Sequence, residues 1–138
     1  MRPTERPIKP YTPTQILNHV ETHFLVENNP RCTSINGYGD VVCVYTGTGC
    51  AVGCLLTIED AEIIDPDKNL SVEGWYTSDN ETRKKIWNTY FGTGPENKFI
   101  LRALQNAHDR HRTSTDEILF RQNIMDAIDT MREAIALL

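Results

Sequence analysis

The side chains best suited to bind or transform a ligand are concentrated between positions 102 and 112. Arginine, glutamine, histidine and aspartate follow one another there at spacings that a helix would bring together. Arginine forks grip phosphate and a histidine ring can stack on a base, so the stretch indicates an anion or nucleotide pocket. The candidate binding residues in it are Arg102, Gln105, His108, Asp109, Arg110 and Arg112.

Two other interpretations of this stretch are open. Cations at the carboxyl end of a helix complement its macrodipole, so residues 110–112 can be simple capping residues. Alternatively, His108 and Asp109 form the acid/base pair of an enzyme acting on a nucleotide or peptide, with Cys50 as nucleophile. The sequence contains no G-x-S-x-G, H-E-x-x-H or Gly-Lys-Ser/Thr motif, so no residue is assigned as catalytic.

The four cysteines raise the question of a zinc site. Structural zinc sites usually contain two closely spaced pairs of ligands, whereas only Cys50 and Cys54 are close enough in the chain to form one. In a reducing compartment a free cysteine usually behaves as a small buried apolar residue. We therefore expect no metal and no cofactor. The sequence leaves open whether Cys32, Cys43, Cys50 and Cys54 cluster.

Composition limits the class of partner. The length of 138 residues fits one domain, and the net charge of −5 disfavours non-specific binding to nucleic acid. Residues 1–11 contain three prolines and no apolar run, which predicts a flexible lead without a secretory signal. No window approaches the roughly 18 consecutive apolar residues of a membrane helix, so we expect a cytoplasmic protein without a membrane partner.

The hydrophobic pattern predicts a single α+β domain over residues 12–138. Thr12 caps a helix that has Pro13 in its first turn and ends near residue 27. Residues 31–45 form two strands around a glycine-rich turn.

The apolar run from residue 46 to 56 is ambiguous, and we expect a tight turn followed by a third strand or a short helix. The small antiparallel sheet of residues 31–56 would then pack against four to five helices. Residues 65–78 are mostly loop, and Ser78 or Asp79 caps the next helix. A helix starting near Pro95 is predicted to bury a broad apolar face that includes Phe99.

The last predicted helix carries an apolar seam. Ser114 and Glu117 have the spacing of a capping box at its start. The seam is too apolar to be left in water, so it packs on the rest of the chain or on a second copy in a homo-oligomer. Its residues are Ile124, Ile128, Met131, Ile135 and Leu138.

Five short motifs together resemble a loosely defined family of small hypothetical proteins of tailed phages and bacteria, which has no assigned activity. The resemblance spans roughly residues 12–112, and its most specific part is the Cys-Ala-Val-Gly core followed by Leu-Gln-x-x-His-Asp. The motifs are Thr12-Pro13-x-Gln15-Ile16, Cys43-x-Tyr45, Cys50-Ala-Val-Gly53-Cys-Leu-Leu56, Glu73-Gly74 and Leu104-Gln105-x-x-His108-Asp109.

The resemblance implies a phage or prophage origin, and therefore action in the cytoplasm of a host cell. Tyr45, Gly49, Cys50 and Gly53, which lie in or next to these motifs, are further candidate ligand- or partner-binding residues. Small phage proteins of this kind often act on host systems. We therefore expect a non-enzymatic binding protein that inhibits a host factor, most plausibly an antiviral defence component, by blocking a protein surface or by sequestering a nucleotide signal. The alternatives are the enzyme described above and a virion or regulatory assembly subunit.

Overall fold

The computed structural model describes residues 2–30, 33–35, 41–43, 45–46, 49–64, 71–109 and 117–137, with backbone alone at 33–35, 41–43 and 109. A π-helical turn, Thr22–Val26, extends the first helix, and a 3₁₀ turn, Gly53–Leu55, precedes the second. The elements in chain order are α1 (Pro13–Glu21), β1 (Thr33–Ile35), β2 (Val41–Cys43), α2 (Ile58–Ile64), α3 (Val72–Tyr76), α4 (Glu81–Phe91), α5 (Pro95–Asp109) and α6 (Glu117–Ala136).

The expectation of an α+β domain is wrong, because the described part of the chain is an all-α fold. The predicted hairpin is present as a single antiparallel ladder, in which Thr33 pairs with Cys43 and Ile35 with Val41. Two strands of three residues are too few and too short to form a layer that covers a core. The glycine-rich turn between them lies outside the described residues. The core is built by helices instead.

No third strand forms in the segment from Gly49 to Leu56. The chain turns at Gly49, which has φ of 87°, and then forms the 3₁₀ turn. A Cβ atom on Gly53 would lie 2.6 Å from the carbonyl oxygen of Tyr45, so only glycine permits this approach of two backbone segments. Because the run is short and wholly buried, its hydrophobicity could not distinguish a strand from a turn.

Local capping chemistry fixes the ends of the helices. At α1 the predicted cap is confirmed: Gln15 N donates to Thr12 Oγ1 at 3.2 Å, and Thr12 N donates to Gln15 Oε1 at 2.9 Å. The cap of α4 is Asn80, not Ser78 or Asp79, since Arg83 N donates to Asn80 Oδ1 at 3.1 Å. Gly92 ends α4 with a φ of 73°, a backbone conformation that favours glycine.

Trp75 on α3 is the centre of an aromatic cluster in the core. Its ring packs edge-to-face against Tyr45, Trp87 and Phe91, with centroid distances of 5.9, 5.1 and 5.8 Å. The indole Nε1 donates to the carbonyl of Arg83 at 2.9 Å, so its polar end is satisfied. Sequence analysis missed α3, since it lies within the predicted loop 65–78.

The apolar seam of α6 packs on the same chain. Ile124 and Ile128 are completely buried, and Met131 and Ile135 are partly buried against the core. Helices α1 and α5 are the main neighbours of α6. Leu138 and the predicted capping residue Ser114 lie outside the described residues. The described seam residues thus pack within the same molecule, and homo-oligomerisation through the seam stays a prediction.

Candidate functional site

The structure divides the predicted binding residues between two buried groups and one exposed position. Tyr45, Gly49, Cys50 and Gly53 lie together in the core, next to the 3₁₀ turn. Gln105 and His108 are also buried, at 6% and 0% exposure, whereas Arg102 is exposed. The side chain of Asp109 and the whole of Arg110 and Arg112 lie outside the described residues. The described members therefore do not assemble into one open pocket.

His108 occupies an aromatic part of the core. Its ring centroid lies 5.6 Å from that of Phe24 and 5.6 Å from that of Phe120, and those two rings are 5.3 Å apart. Gln105 Nε2 lies 3.5 Å from His108 Nδ1. A fully buried imidazole in this position cannot reach a substrate without opening the core, so its evident role is packing.

Replacing His108 by leucine is expected to preserve partner binding and to lower the free energy of unfolding by about 1–3 kcal/mol, because the buried amide of Gln105 loses a polar partner. Urea unfolding and a binding assay on the same preparation check this. Loss of a catalytic turnover in a variant that still unfolds cooperatively would instead support the enzyme alternative.

Arg2 binds the backbone carbonyls of Tyr45 and Gly53, which lie together in the core. Its guanidinium donates through Nη1 to the carbonyls of Gly53 at 2.7 Å and Leu56 at 3.2 Å, and through Nη2 to the carbonyl of Tyr45. We call these three oxygens the carbonyl cradle. Five donors in a rigid fork suit a guanidinium to this arrangement.

Asp60 on α2 forms a second anchor for the N-terminal segment. The carboxylate is 2% exposed and accepts from Arg6 twice, from Nε at 2.9 Å and from Nη2 at 2.6 Å. Tyr90 Oη donates to Asp60 Oδ2 at 2.6 Å, and Thr57 Oγ1 donates to the same oxygen at 3.1 Å. Burial alone would raise the pKa of Asp60, but the hydrogen bonds from Arg6, Tyr90 and Thr57 outweigh it and the pKa is lowered.

Residues 2–11 therefore form a strap along the body of the protein. Tyr11 N donates to the carbonyl of Tyr90 at 2.8 Å, and Asn97 Nδ2 donates to the carbonyl of Tyr11 at 2.8 Å. The prediction of a flexible lead missed all these contacts. The partners lie up to 86 residues apart in sequence, and no local pattern marks them.

An open groove of about 520 Å³ follows one side of α1. Its most constrained side chain is His19, whose Nε2 lies 2.8 Å from the carbonyl of Cys54. Burial lowers the pKa of His19, which favours the neutral ring and leaves Nε2–H to donate to that carbonyl. The groove has the size of a small-molecule site but opens widely to solvent, and the residues that line it are of polar types that can form hydrogen bonds. It is lined by Tyr11, Gln15, Asn18, His19, Thr22 and Glu27.

The α3–α5 surface consists of Glu73, Tyr76, Lys98, Phe99 and Arg102. Phe99 is 55% exposed, so its predicted burial is wrong. Lys98 Nζ lies 4.9 Å from the ring centroid of Tyr76 and 5.0 Å from that of Phe99. Glu73 Oε2 lies 3.4 Å from Lys98 Nζ and 3.8 Å from Arg102 Nη1. An aromatic ring and two cations are thus held on one face.

The two described thiols are buried and unsuited to nucleophilic chemistry. Gly53 N donates to Cys50 Sγ at 3.3 Å, and Cys54 Sγ donates to the carbonyl of Ala51 at 3.5 Å. Burial raises the pKa of Cys54 well above its usual value, so its thiolate is strongly disfavoured. Across the described ranges, no group of three or more His, Cys, Asp or Glu side chains is placed to hold a metal ion. Nor does any helix there combine the length and apolarity needed to cross a bilayer.

No protein-family model, curated protein or solved structure matches the chain. The resemblance to small phage proteins stays a prediction based on its motifs.

Proposed function

We propose that this is a non-enzymatic binding protein that occupies a surface of a partner protein through the α3–α5 surface. The observation that carries the proposal is the exposure of Phe99 beside the cations Lys98 and Arg102. Aromatic and arginine side chains supply most of the energetically dominant residues of protein interfaces. The described residues expected to act on a nucleotide, apart from Arg102, are buried in the core.

The α3–α5 surface is held in shape before a partner arrives. Lys98 is only 15% exposed, and it contacts a ring on each side as well as the carboxylate of Glu73. Arg102 stands one turn from Phe99 on α5 and is drawn to the same carboxylate. Side chains already ordered lose less freedom on association, which favours affinity.

The chemistry of the surface indicates the complementary partner. Two cations share one carboxylate, so the face carries a local positive charge although the whole chain is acidic. A partner with an apolar pocket for Phe99 and acidic residues around it would match in shape and charge. The motif resemblance to small phage proteins supports a host protein in this role, with an antiviral defence component as the leading candidate.

Replacing Phe99 by alanine is expected to weaken partner binding roughly tenfold, because an exposed aromatic that fills a pocket contributes more than about 1 kcal/mol. A photoreactive phenylalanine analogue at position 99, used in an extract of the host cell, would first capture the partner. Affinity for the purified partner is then measured by calorimetry.

Ile63 gives the matched control, because it is also an exposed apolar side chain, at 42%, but lies on α2. Ile63→Ala should leave the affinity within about twofold. Arg102→Glu should reduce the affinity, because it reverses a charge that is complementary to acidic residues of the partner. Equal effects of Phe99→Ala and Ile63→Ala would contradict the proposal, as would a nucleotide retained by the purified protein in native mass spectrometry.

A further inference from the structure

We propose that the strap can dock in a second copy of the chain, so that two molecules pair by exchanging residues 2–6. The docking site is the strap groove, which is formed by the carbonyl cradle and Asp60 and is distinct from the open groove along α1. Arg2 and Arg6 are its ligands, so each partner would contribute two residues to the other's site. Exchange of an identical segment is a low-cost route to a dimer, since the same contacts form in both states.

The strap groove has two positions, each of which binds one guanidinium group. At each position the body of the protein supplies acceptors and the strap supplies the donors: three carbonyls face Arg2, and a buried carboxylate faces Arg6. Three residues lie between the two arginines, and the backbone bends at Thr4 and Glu5, so their spacing is shorter than the roughly 13 Å of a fully extended chain. Lysine would keep the charge but lose the fork that makes these bonds simultaneously.

The acceptors are positioned without help from the strap. Leu55 N donates to Val52 O, and Leu56 N donates to Gly53 O, each at 3.0 Å, which holds the 3₁₀ turn that carries two of the three cradle carbonyls. The backbone of Tyr45, which carries the third, packs directly against Gly53. Tyr90 and Thr57 hold the Asp60 carboxylate from inside the body. The strap groove therefore recognises any strap that presents arginines at this spacing, whichever molecule it comes from.

Between the Arg6 anchor and the Tyr11 anchor the strap can serve as a hinge. Over the described part of the chain, residues 7–10 make no hydrogen bond or ion pair. Ile8 is 102% exposed, so a large apolar side chain faces water at this point of the closed molecule. Pairing that covers Ile8 would remove its side chain from water and so favour the pair over a monomer with an undocked strap.

The docking step is tested with the full-length double variant Arg2→Ala/Arg6→Ala and a fluorescent peptide of residues 1–11. By anisotropy, the variant should bind this peptide at least about tenfold more tightly than a peptide with lysine at positions 2 and 6. It should also bind more tightly than the wild-type chain does, because the wild-type groove is already filled. A variant with native near-ultraviolet circular dichroism that does not distinguish the two peptides would overturn the proposal. If the variant lacks that native signal, recovery on adding the arginine peptide supports the proposal, and no recovery overturns it.

The exchange itself is tested by native mass spectrometry of the wild-type chain over a concentration series. We expect a dimer that increases with concentration and disappears in Arg2→Ala/Arg6→Ala. The matched control is Thr4→Ala/Glu5→Ala, which changes two exposed residues of the same strap and should keep the dimer. A wild-type chain that stays monomeric throughout, or a dimer that survives loss of both arginines, would overturn the exchange.

Discussion

Replacing Asp60 by alanine is expected to lower the free energy of unfolding by about 2–4 kcal/mol. The change removes the acceptor of three donors at once: Arg6, the buried hydroxyl of Tyr90 and Thr57 Oγ1. Each buried polar group left without a partner costs its desolvation free energy. The guanidinium of Arg6 is 45% exposed and can return to water, so the loss stays below that of a fully buried ion pair.

Urea unfolding followed by tryptophan fluorescence measures this loss. Glu59→Ala is the matched control, because Glu59 is the exposed neighbour of Asp60 on the same helix, and it should change the unfolding free energy by less than about 0.5 kcal/mol. The loss of unfolding free energy for Tyr90→Phe should lie between those for Asp60→Ala and Glu59→Ala, since this change removes one donor and leaves Arg6 in place. Similar values for Asp60→Ala and Glu59→Ala would show that the Asp60 network does not stabilise the fold.

Acidification below about pH 6.5 is expected to destabilise the fold through His23, by up to about 3 kcal/mol at pH 4. The side chain is 2% exposed, and burial lowers its pKa from 6.5 to about 4, outweighing the opposite effect of the Gly49 backbone. Asn29 Nδ2 donates to the carbonyl of His23 at 2.9 Å and also lies 3.1 Å from its Nδ1. A proton on Nδ1 would face this donor, so the neutral ring is favoured.

The sign follows from proton counting. Below pH 6.5 the unfolded chain takes up a proton that the folded chain accepts only near pH 4, so stability falls across that window and then levels off. Asp60 affects stability in a separate pH range. Its contribution to the free energy of unfolding is complete above the ordinary aspartate pKa of 3.8, and it is lost only as the pH falls further, because the pKa of Asp60 is lowered.

Unfolding free energies measured between about pH 4 and pH 7 test the His23 prediction. His23→Phe should remove most of the dependence of the unfolding free energy on pH. A smaller dependence of the same sign should remain, because burial also lowers the pKa of His19. A His23→Phe variant as acid-sensitive as the wild-type chain would refute it.

Local chemistry made several helix ends predictable. The cap of α1 depends on Thr12, Pro13 and Gln15, which are neighbours in sequence, and Gly92 ends α4 because the left-handed region favours glycine. Helix α3 escaped prediction because five residues are too few to show a helical period, and one of them is Gly74. Its stability comes from the tertiary packing of Trp75.

The orientation of side chains on α5 was the harder problem. The sequence favoured a buried Phe99 and a ligand-binding His108, and the structure exposes the first and buries the second. Hydrophobicity ranks residues but does not say which neighbours will fill a given site. Phe24 and Phe120 enclose His108, and they come from two other elements, the π-helical turn and α6.

The sites themselves depend on contacts that no sequence period encodes. The carbonyl cradle binds Arg2 through backbone oxygens that lie 43 to 54 residues away in the sequence. Backbone acceptors carry no residue type, so no motif could mark them. The α3–α5 surface likewise needs α3 and α5 to meet, although Arg102 was already a candidate binding residue.

Both arginines of the strap stand directly before a proline, in Arg2–Pro3 and Arg6–Pro7. Proline fixes its own φ and steers the preceding residue away from helical backbone, so a strap released from its site has fewer backbone conformations than an ordinary chain of its length. Docking it again therefore costs less conformational entropy.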